Sequence, residues 1–204
     1  MKKNIIITGG LGYIGTELCK IYSGISWNNK ITVIDNRFIS ERVNQLRNWN
    51  MNFIHGDILD KELINKYCKD ADIIHHLAGI TDVPRTKSES NKDSDKKIKL
   101  VAEEGTQNIL NSMSDKCKII LPSTHVVYEG IEKVRNDILE EEEMKPILSY
   151  ATSKVINEKQ LKKSGKNYVI LRLGSVYGYS TDTARIDIMP NLFSKITSQN
   201  GTIK

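Results

Sequence analysis

Short runs of apolar and β-branched residues recur along the chain, and between them apolar residues return every three or four positions. The runs match strands that are buried on both faces, and they cover residues 4–8, 31–35, 52–55, 72–77, 118–121 and 168–173. The helical spacing covers residues 12–22, 40–49, 61–67, 96–113 and 149–163. This alternation predicts an α/β fold, a doubly wound Rossmann-type parallel sheet with right-handed crossovers.

Two polar stretches interrupt this pattern and predict solvated loops. Residues 84–97 are rich in Ser, Asn, Asp and Lys, and residues 140–143 form an acidic run before Pro146. The first stretch leaves the carboxyl end of the fourth predicted strand, which is where such sheets bind ligands. We therefore expect it to border the mouth of the active site.

The composition indicates an ordinary globular chain of 204 residues, with 39% hydrophobic and 27% charged residues. The net charge of +5 is spread among interspersed basic and acidic residues, so nucleic-acid binding is not expected. Three cysteines stand far apart without a Cys-x-x-Cys pair, which predicts buried free thiols in a reducing compartment. The sequence contains no apolar run of about 18 residues and no signal-peptide pattern, so we expect a cytoplasmic protein without membrane association.

A glycine-rich motif from Thr8 to Gly15 lies where the first strand turns into a helix. Gly9 and Gly10 allow the tight turn, Gly12 allows the backbone to approach a pyrophosphate, and Gly15 allows close packing of the helix on the sheet. The amino end of that helix offers unpaired N–H groups and a partial positive charge to phosphates. This motif predicts a dinucleotide site, with Tyr13 and Ile14 lining it through their backbone.

Polar or small residues at three further strand ends support this cofactor site. Asp35 ends the second strand twenty residues after Gly15, where its carboxylate can bind the adenosine ribose and repel a 2′-phosphate. This favours NAD over NADP, although Arg37 could pair with a 2′-phosphate if it turned inward. The remaining candidates follow the second, third and fourth strands: Asn36, Asp57, Ile58, Leu77, Ala78 and Gly79.

A candidate set for proton transfer lies later in the chain. Tyr150 and Lys154 are four residues apart on a predicted helix, so their side chains share one face. Lowering the pKa of a tyrosine from about 10 to neutrality needs roughly 4 kcal/mol, which a neighbouring ammonium and an oxidised nicotinamide can supply together. Tyr150 would then act as general acid or base. Thr124, at the end of the fifth strand, can donate a hydrogen bond to the reacting oxygen, and Ser123 is the alternative.

The four histidines share no metal-ligand spacing with acids or cysteines, so we expect no metal site. Only His125 stands next to the candidate chemistry. A packing role is favoured for it over a role as a proton relay.

These motifs together resemble the extended short-chain dehydrogenase/reductase family, and within it the NAD-dependent nucleotide-sugar epimerase/dehydratase group. The resemblance covers essentially the whole chain. It is carried by the following pieces: Thr8 to Gly15, Asp35-Asn36, Gly56-Asp57-Ile58, His76 to Gly79, Gly105-Thr106-Gln107-Asn108, Ser123-Thr124 with Val127-Tyr128, Pro146 with Tyr150 and Lys154, and Leu171-Arg172 with Val176-Tyr177-Gly178.

The resemblance implies hydride transfer between a sugar carbon and NAD, most closely that of a 4-epimerase working through a transient 4-keto sugar. Tyr150 would exchange the hydroxyl proton, Thr124 would orient that oxygen, and Lys154 would also hold the nicotinamide ribose. It further implies a homodimer formed through two helices of each subunit. Residues 1–178 would form the NAD-binding domain that carries the catalytic residues, and residues 179–204 the start of a truncated substrate-binding portion.

Departures from the family pattern bear on the reaction subtype. The 4,6-dehydratases carry an acidic pair directly after the catalytic threonine, whereas this chain has His125 and Val126, so dehydration is not expected. Two asparagines of the family fall on Ala102 and Ser175, and Ser175 is the corresponding candidate for substrate contact. Two alternatives stay open: an NAD(P)-dependent reductase of a non-nucleotide alcohol or ketone, and a non-catalytic NAD-binding module.

Overall fold

A parallel sheet of six strands forms the centre of the protein. The structure is a computed structural model, and it describes residues 2–25, 29–81, 91–180 and 188–203. All the neighbouring strands pair in parallel, in the order β3-β2-β1-β4-β5-β6. The strands are β1 (Asn4–Thr8), β2 (Lys30–Asp35), β3 (Asn52–His55), β4 (Ile73–His76), β5 (Lys118–Thr124) and β6 (Asn167–Leu173). This confirms the doubly wound fold and all six predicted strands.

Helices connect the strands across the sheet. They are α1 (Tyr13–Gly24), α2 (Ser40–Asn48), α3 (Lys61–Cys68), α4 (Lys92–Ser112), α5 (Ser149–Lys163) and α6 (Met189–Ser198), with a 3-10 turn over His125–Tyr128. Helix α6 was not predicted from the sequence. Pro190 stands in its first turn, where the fixed φ of proline favours the start of a helix and its missing N–H has no intrahelical partner to lose.

The polar stretch 84–97 differs from its prediction as a loop, because α4 already begins at Lys92. The Asn91 side chain accepts a hydrogen bond from Asp93 N at 2.9 Å and so caps the helix. Asp93 and Asp95 in the first turn complement the positive end of the helix dipole. Residues 84–90 of this stretch lie outside the described residues. Their expected position at the mouth of the active site therefore stays a prediction.

The core is divided by the sheet into two layers. Ile6 and Ile74 face α3 and α4 and join one apolar cluster, whereas Ile5 and Ile7 face the opposite layer with α1 and α2. This alternation explains why the central strands read as continuous apolar runs. The cysteines are free and buried in these layers, as predicted: Cys19, Cys68 and Cys117. Among the described helices, none has the length and apolarity needed to cross a membrane.

The chain winds outward in both directions from β1, which lies between β2 and β4. Ligands of doubly wound sheets bind beyond the carboxyl ends of the strands, where the winding direction reverses. In this protein that crevice lies beyond Thr8 and His76, the last residues of β1 and β4. The glycine motif and the fourth strand end therefore meet where a ligand is expected.

Candidate active site

The glycine loop makes close backbone approaches that a side chain would block. Gly9 has φ +70°, and a Cβ there would lie 2.6 Å from Ala78 N. A Cβ on Gly15 would lie 2.5 Å from Gly9 O. Two backbone hydrogen bonds hold the turn: Gly9 N donates to Ile34 O at 2.8 Å, and Gly12 N donates to Gly9 O at 3.1 Å. The loop is therefore packed directly on the segment after β4.

Helix α1 begins behind this loop without a cap from a side chain. Gly12 is its N-cap residue, and the first turn contains no acidic residue. The first N–H groups of a helix have no intrahelical partners, so this end can bind an anion. Tyr13 is half-buried and Ile14 is exposed at this end. The residues present thus fit the pyrophosphate of a dinucleotide.

Asp35 fixes the glycine loop to the end of β2. One oxygen of its buried carboxylate accepts from Leu11 N at 2.9 Å, and the other accepts from Arg37 N at 3.0 Å. Arg37 Nε lies 3.4 Å from that second oxygen, so the guanidinium pairs with Asp35. A Cβ on Gly12 would lie 3.7 Å from the Arg37 side chain, which places this cation beside the glycine loop.

The ends of β2 and β3 place the next candidates together. Asn36 Nδ2 donates to Asp57 Oδ2 at 2.9 Å, and Asp57 Oδ1 accepts from Leu59 N at 2.9 Å. Ile58 differs from these two, because its side chain is buried against α4, where a Cβ on Gly105 would approach it to 2.3 Å. Asp57 remains half-exposed at the crevice, whereas the Ile58 side chain belongs to the core.

A buried polar chain at the end of β4 links the glycine loop to the later helices. His76 Nδ1 is 3.0 Å from Thr8 Oγ1, and His76 Nε2 is 2.9 Å from Thr106 Oγ1 on α4. Thr106 Oγ1 also accepts from Asn157 Nδ2 of α5 at 2.9 Å. Burial, with a smaller effect of nearby Lys154, lowers the pKa of His76 to about 3, so its imidazole is neutral.

The segment after β4 joins the same chain, since Ala78 N donates to Thr8 Oγ1 at 3.3 Å. Leu77 N donates to Thr8 O at 3.1 Å, and Gly79 is exposed beyond them. Sequence reasoning did not assign a role to Thr8, Thr106 or Asn157. Their polar type within a predicted buried strand and two predicted helices was the signal that could have revealed the network.

Lys154 is buried beneath Tyr150 on α5. Its Nζ donates to Pro122 O at 3.0 Å and lies 5.8 Å from the centre of the Tyr150 ring. Burial in a poorly solvated site lowers the pKa of Lys154 to about 8. The group is still mainly protonated at neutral pH, so its charge is available to stabilise a phenolate.

Thr124 ends β5 and is buried. Its Oγ1 accepts from Val126 N at 3.3 Å, which begins the 3-10 turn. The alternative candidate, Ser123, points away from it, because Ser123 Oγ donates to Glu158 Oε1 of α5 at 2.6 Å. The geometry therefore favours Thr124 over Ser123 as the residue presented at the crevice.

Glu158 and Arg172 form an ion pair behind this strand end, in which Glu158 is buried and Arg172 half-buried. Arg172 donates to Glu158 through Nε at 3.0 Å and through Nη2 at 2.6 Å. Burial alone would raise the pKa of Glu158, but hydrogen bonds from Arg172 and Ser123 bring it below its usual value. The pair joins α5 to β6 and holds the end of β5 between them.

Glu129 holds the amino end of α5. Its Oε1 accepts from Ile147 N at 2.6 Å and from Leu148 N at 2.7 Å, directly before the helix. The backbone bond from Gly130 N to Lys145 O, at 2.9 Å, supports the same contact. Tyr150 therefore lies in the first turn of a helix whose amino end is fixed to the turn following Thr124.

Two pockets open on this side of the sheet. One of about 460 Å³ follows Thr124 and is lined by His125, Val126, Tyr128, Glu129 and Ile138. The other, of about 310 Å³, adjoins the start of α1 and is lined by Tyr13, Ile14, Glu17, Leu18, Ile21, Val176, Tyr177 and Tyr179.

Two candidates differ from their expected surroundings. Ser175 is exposed on the segment after β6 and lines neither pocket. His125 is exposed, so the packing role favoured from the sequence is wrong. Within the described ranges, no group of three or more His, Cys, Asp or Glu side chains could hold a metal ion.

This chain is similar to known proteins in both sequence and fold. The model of the NAD dependent epimerase/dehydratase family matches residues 5–203. A dTDP-D-glucose 4,6-dehydratase from Dictyostelium discoideum is 30% identical over 86% of this chain and 44% of its own length. A UDP-N-acetyl-alpha-D-glucosaminuronate decarboxylase from Bacillus cytotoxicus is 32% identical over 63% of this chain and 38% of its own length.

Among solved structures, a UDP-N-acetylglucosamine 4-epimerase from Methanobrevibacter ruminantium, in complex with UDP-N-acetylmuramic acid, superposes with a TM-score of 0.72. It is 28% identical, and the match covers 98% of this chain and 64% of the other. The UDP-glucose 4-epimerase from Brucella ovis, in complex with NAD, has a TM-score of 0.69 and 28% identity, over 91% of this chain and 54% of the other. This chain thus spans less than half of the two curated relatives and under two thirds of these structures.

Proposed function

Because the chain belongs to the NAD dependent epimerase/dehydratase family, we propose that it is an NAD-dependent nucleotide-sugar epimerase, acting at carbon 4 of the sugar. The observation that carries this proposal is the placement of Tyr150 above buried Lys154, on a helix fixed to the strand end that bears Thr124. Apolar residues would pack this helix as well, so packing alone gives no reason for a buried lysine beneath a tyrosine.

NAD would supply the oxidising power, taking a hydride from the sugar carbon and returning it to the other face. The uncapped start of α1, with Gly9, Gly12, Tyr13, Ile14 and Gly15, would hold its pyrophosphate. Asp35, Asn36, Asp57 and Ile58 would meet its adenosine half, Ile58 through the backbone alone, while Leu77, Ala78 and Gly79 would line the cleft beyond β4.

Tyr150 would take the hydroxyl proton as the sugar is oxidised and return it when the ketone is reduced. The Lys154 charge, in a site of low polarity, favours the phenolate more strongly than it would in water. Thr124 would hold the same oxygen by a hydrogen bond, so the carbon stays aligned with the cofactor. Lys154 would also bind the nicotinamide ribose.

The residues after Thr124 favour epimerisation over dehydration. Expulsion of water from the sugar needs an acid near the leaving hydroxyl, and His125 and Val126 stand where the dehydratases carry acids. One curated relative is a 4,6-dehydratase, so this distinction matters for assigning the reaction. We therefore keep epimerisation as the proposed reaction.

A panel of UDP-, dTDP-, GDP- and ADP-sugars tests the proposal, with the stereochemistry of the products resolved by NMR. We expect inversion at carbon 4 of one class of sugar nucleotide without net consumption of NAD. Steady consumption of added cofactor would identify a reductase instead. Binding of NAD without turnover of any sugar would identify a non-catalytic module.

We also propose that the protein is a homodimer in the cytoplasm. Helices α4 and α5 pack side by side, with Gln160 Nε2 donating to Glu103 O at 2.9 Å. The family resemblance implies that the same two helices of each subunit form the interface of a homodimer. Light scattering of the purified protein would measure the mass of the assembly directly. Three buried free thiols support a reducing compartment, and so the cytoplasm.

A further inference from the structure

His125 lies beside the proposed proton-transfer set without belonging to it. The residue directly follows Thr124 and lines the pocket of about 460 Å³. Its side chain is exposed, although every neighbour on the strand end before it is buried or half-buried. A histidine placed here is available to a molecule in the pocket.

The orientation of the imidazole is fixed by a backbone group. His125 Nδ1 lies 3.1 Å from Leu173 O, the carbonyl of the last residue of β6. A carbonyl can only accept, so Nδ1 must carry the hydrogen, and Nε2 of the neutral ring is then an acceptor. Within the part of the chain that the structure describes, Nε2 has no hydrogen-bond partner.

The other polar groups of this wall are engaged with the protein. Tyr128 OH donates to Leu139 O at 3.0 Å, and one oxygen of Glu129 accepts from two backbone N–H groups. On the adjoining strand, Arg172 is bound to Glu158, and Leu173 offers its carbonyl. Tyr128 and Glu129 are therefore the titratable groups that share the pocket wall with His125.

We propose that His125 is a specificity-determining residue. Its Nε2 accepts a hydrogen bond from a sugar hydroxyl next to the carbon whose oxygen Thr124 would hold. This inference rests on the proposed function, because it takes a sugar nucleotide as the occupant of the pocket. The chemistry of the contact requires a hydroxyl donor on the ligand and a neutral imidazole on the protein.

Calorimetric titration in the presence of NAD tests the contact, with UDP-glucose and UDP as the probes. We expect His125→Ala to bind UDP-glucose about 5- to 20-fold more weakly, because one hydrogen bond is lost, and to bind UDP unchanged. The amide of His125→Gln can donate to Leu173 O and still present an acceptor, so this variant should stay within about threefold of wild type. Lys133→Ala, at an exposed residue that does not line the pocket, serves as the control.

The glutamine variant separates an acceptor role from simple loss of packing. His125→Gln keeps an acceptor at this position, so it should retain most of the affinity for UDP-glucose that His125→Ala loses. Equal affinities of wild type and His125→Ala, or equal losses for UDP and UDP-glucose, would overturn the inference alone. A wild-type protein that binds NAD but inverts no sugar nucleotide of the panel would overturn the proposed function with it.

Discussion

Lys154 carries a charge that folding removes from water. Its burial therefore affects stability as well as the proposed proton transfer. Its Nζ donates to Pro122 O at 3.0 Å. Burial lowers its pKa from 10.5 to about 8, and each unit corresponds to roughly 1.4 kcal/mol. Below pH 8 the protonated side chain thus costs the folded state about 3 kcal/mol. The cost is relieved between pH 8 and 10.5, where the folded state loses its proton before the unfolded chain does.

We expect Lys154→Met to abolish turnover and to gain stability relative to wild type at neutral pH. This advantage should shrink by about 2 kcal/mol between pH 7 and pH 9.5, because the charge that it removes is lost from the folded wild type over that range. Urea unfolding at a series of pH values measures it, with Lys159→Met, on the exposed side of the same helix, as the control. A difference between Lys154→Met and wild type that does not change with pH would contradict this account.

At the scale of the elements, the site depends on how β5, β6 and α5 are joined. The Glu158 carboxylate is fully buried and receives three hydrogen bonds, two from Arg172 and one from Ser123. Removal of one partner from such a pair leaves an uncompensated buried charge, whereas removal of both leaves none. The connection therefore stabilises the position of Thr124 only while it is complete.

Glu158→Ala should lower the free energy of unfolding by about 3 to 5 kcal/mol, as found for broken buried ion pairs. The double variant Glu158→Leu with Arg172→Met should lose less than Glu158→Ala alone, because it buries no unpaired guanidinium. Chemical denaturation of both variants gives the comparison, with exposed Glu104→Ala as the control. If the double variant were the less stable of the two, the ion pair would be a net stabilising interaction and this reasoning would be wrong.

At the scale of the whole molecule, the two core layers enclose thiols that the sequence analysis expected to be buried. Burial raises the pKa of Cys19 and of Cys68 to about 12. Because the folded state holds these protons more tightly than the unfolded chain, stability is present at neutral pH and declines as the pH rises above about 9. This decline opposes the effect of Lys154 in the same pH range, which is why Lys154→Met is compared with wild type at each pH.

The native protein should therefore react slowly with a thiol-specific disulfide reagent at pH 8, and the unfolded protein should react rapidly at all three cysteines. The labelling rate of the native protein should follow the opening of the core, so it should rise when urea is added. Fast stoichiometric labelling in the absence of denaturant would show that the two layers are not closed around these residues.

The fold could be predicted from the sequence because its signals are local. Strand runs such as residues 4–8 and the glycine turn are determined by residue type and spacing within a few positions. The start of α4 was misplaced because Asn91 caps the helix through one hydrogen bond inside a polar stretch. A composition rule for loops cannot detect such a bond.

The candidate site could be predicted only in part, since its supports join residues that are distant in the sequence. Tyr150 and Lys154 were recognised from a spacing of four residues. The contact between His76 and Thr106 and the ion pair between Glu158 and Arg172 require the folded arrangement of several strands. The exposed position of His125 likewise depends on how the turn after β5 packs.

Tyr150 is proposed to exchange a proton with a sugar nucleotide beside bound NAD, and the variant Tyr150→Phe lacks the oxygen that would carry this proton. The variant removes only the phenol oxygen, so NAD binding should stay nearly unchanged while epimerisation falls by about a hundred- to ten-thousandfold. The measurement is turnover of the sugar nucleotide selected by the panel, with NAD affinity determined on the same preparation. We expect loss of turnover with retained NAD affinity; undiminished turnover by Tyr150→Phe would show that Tyr150 does not transfer this proton.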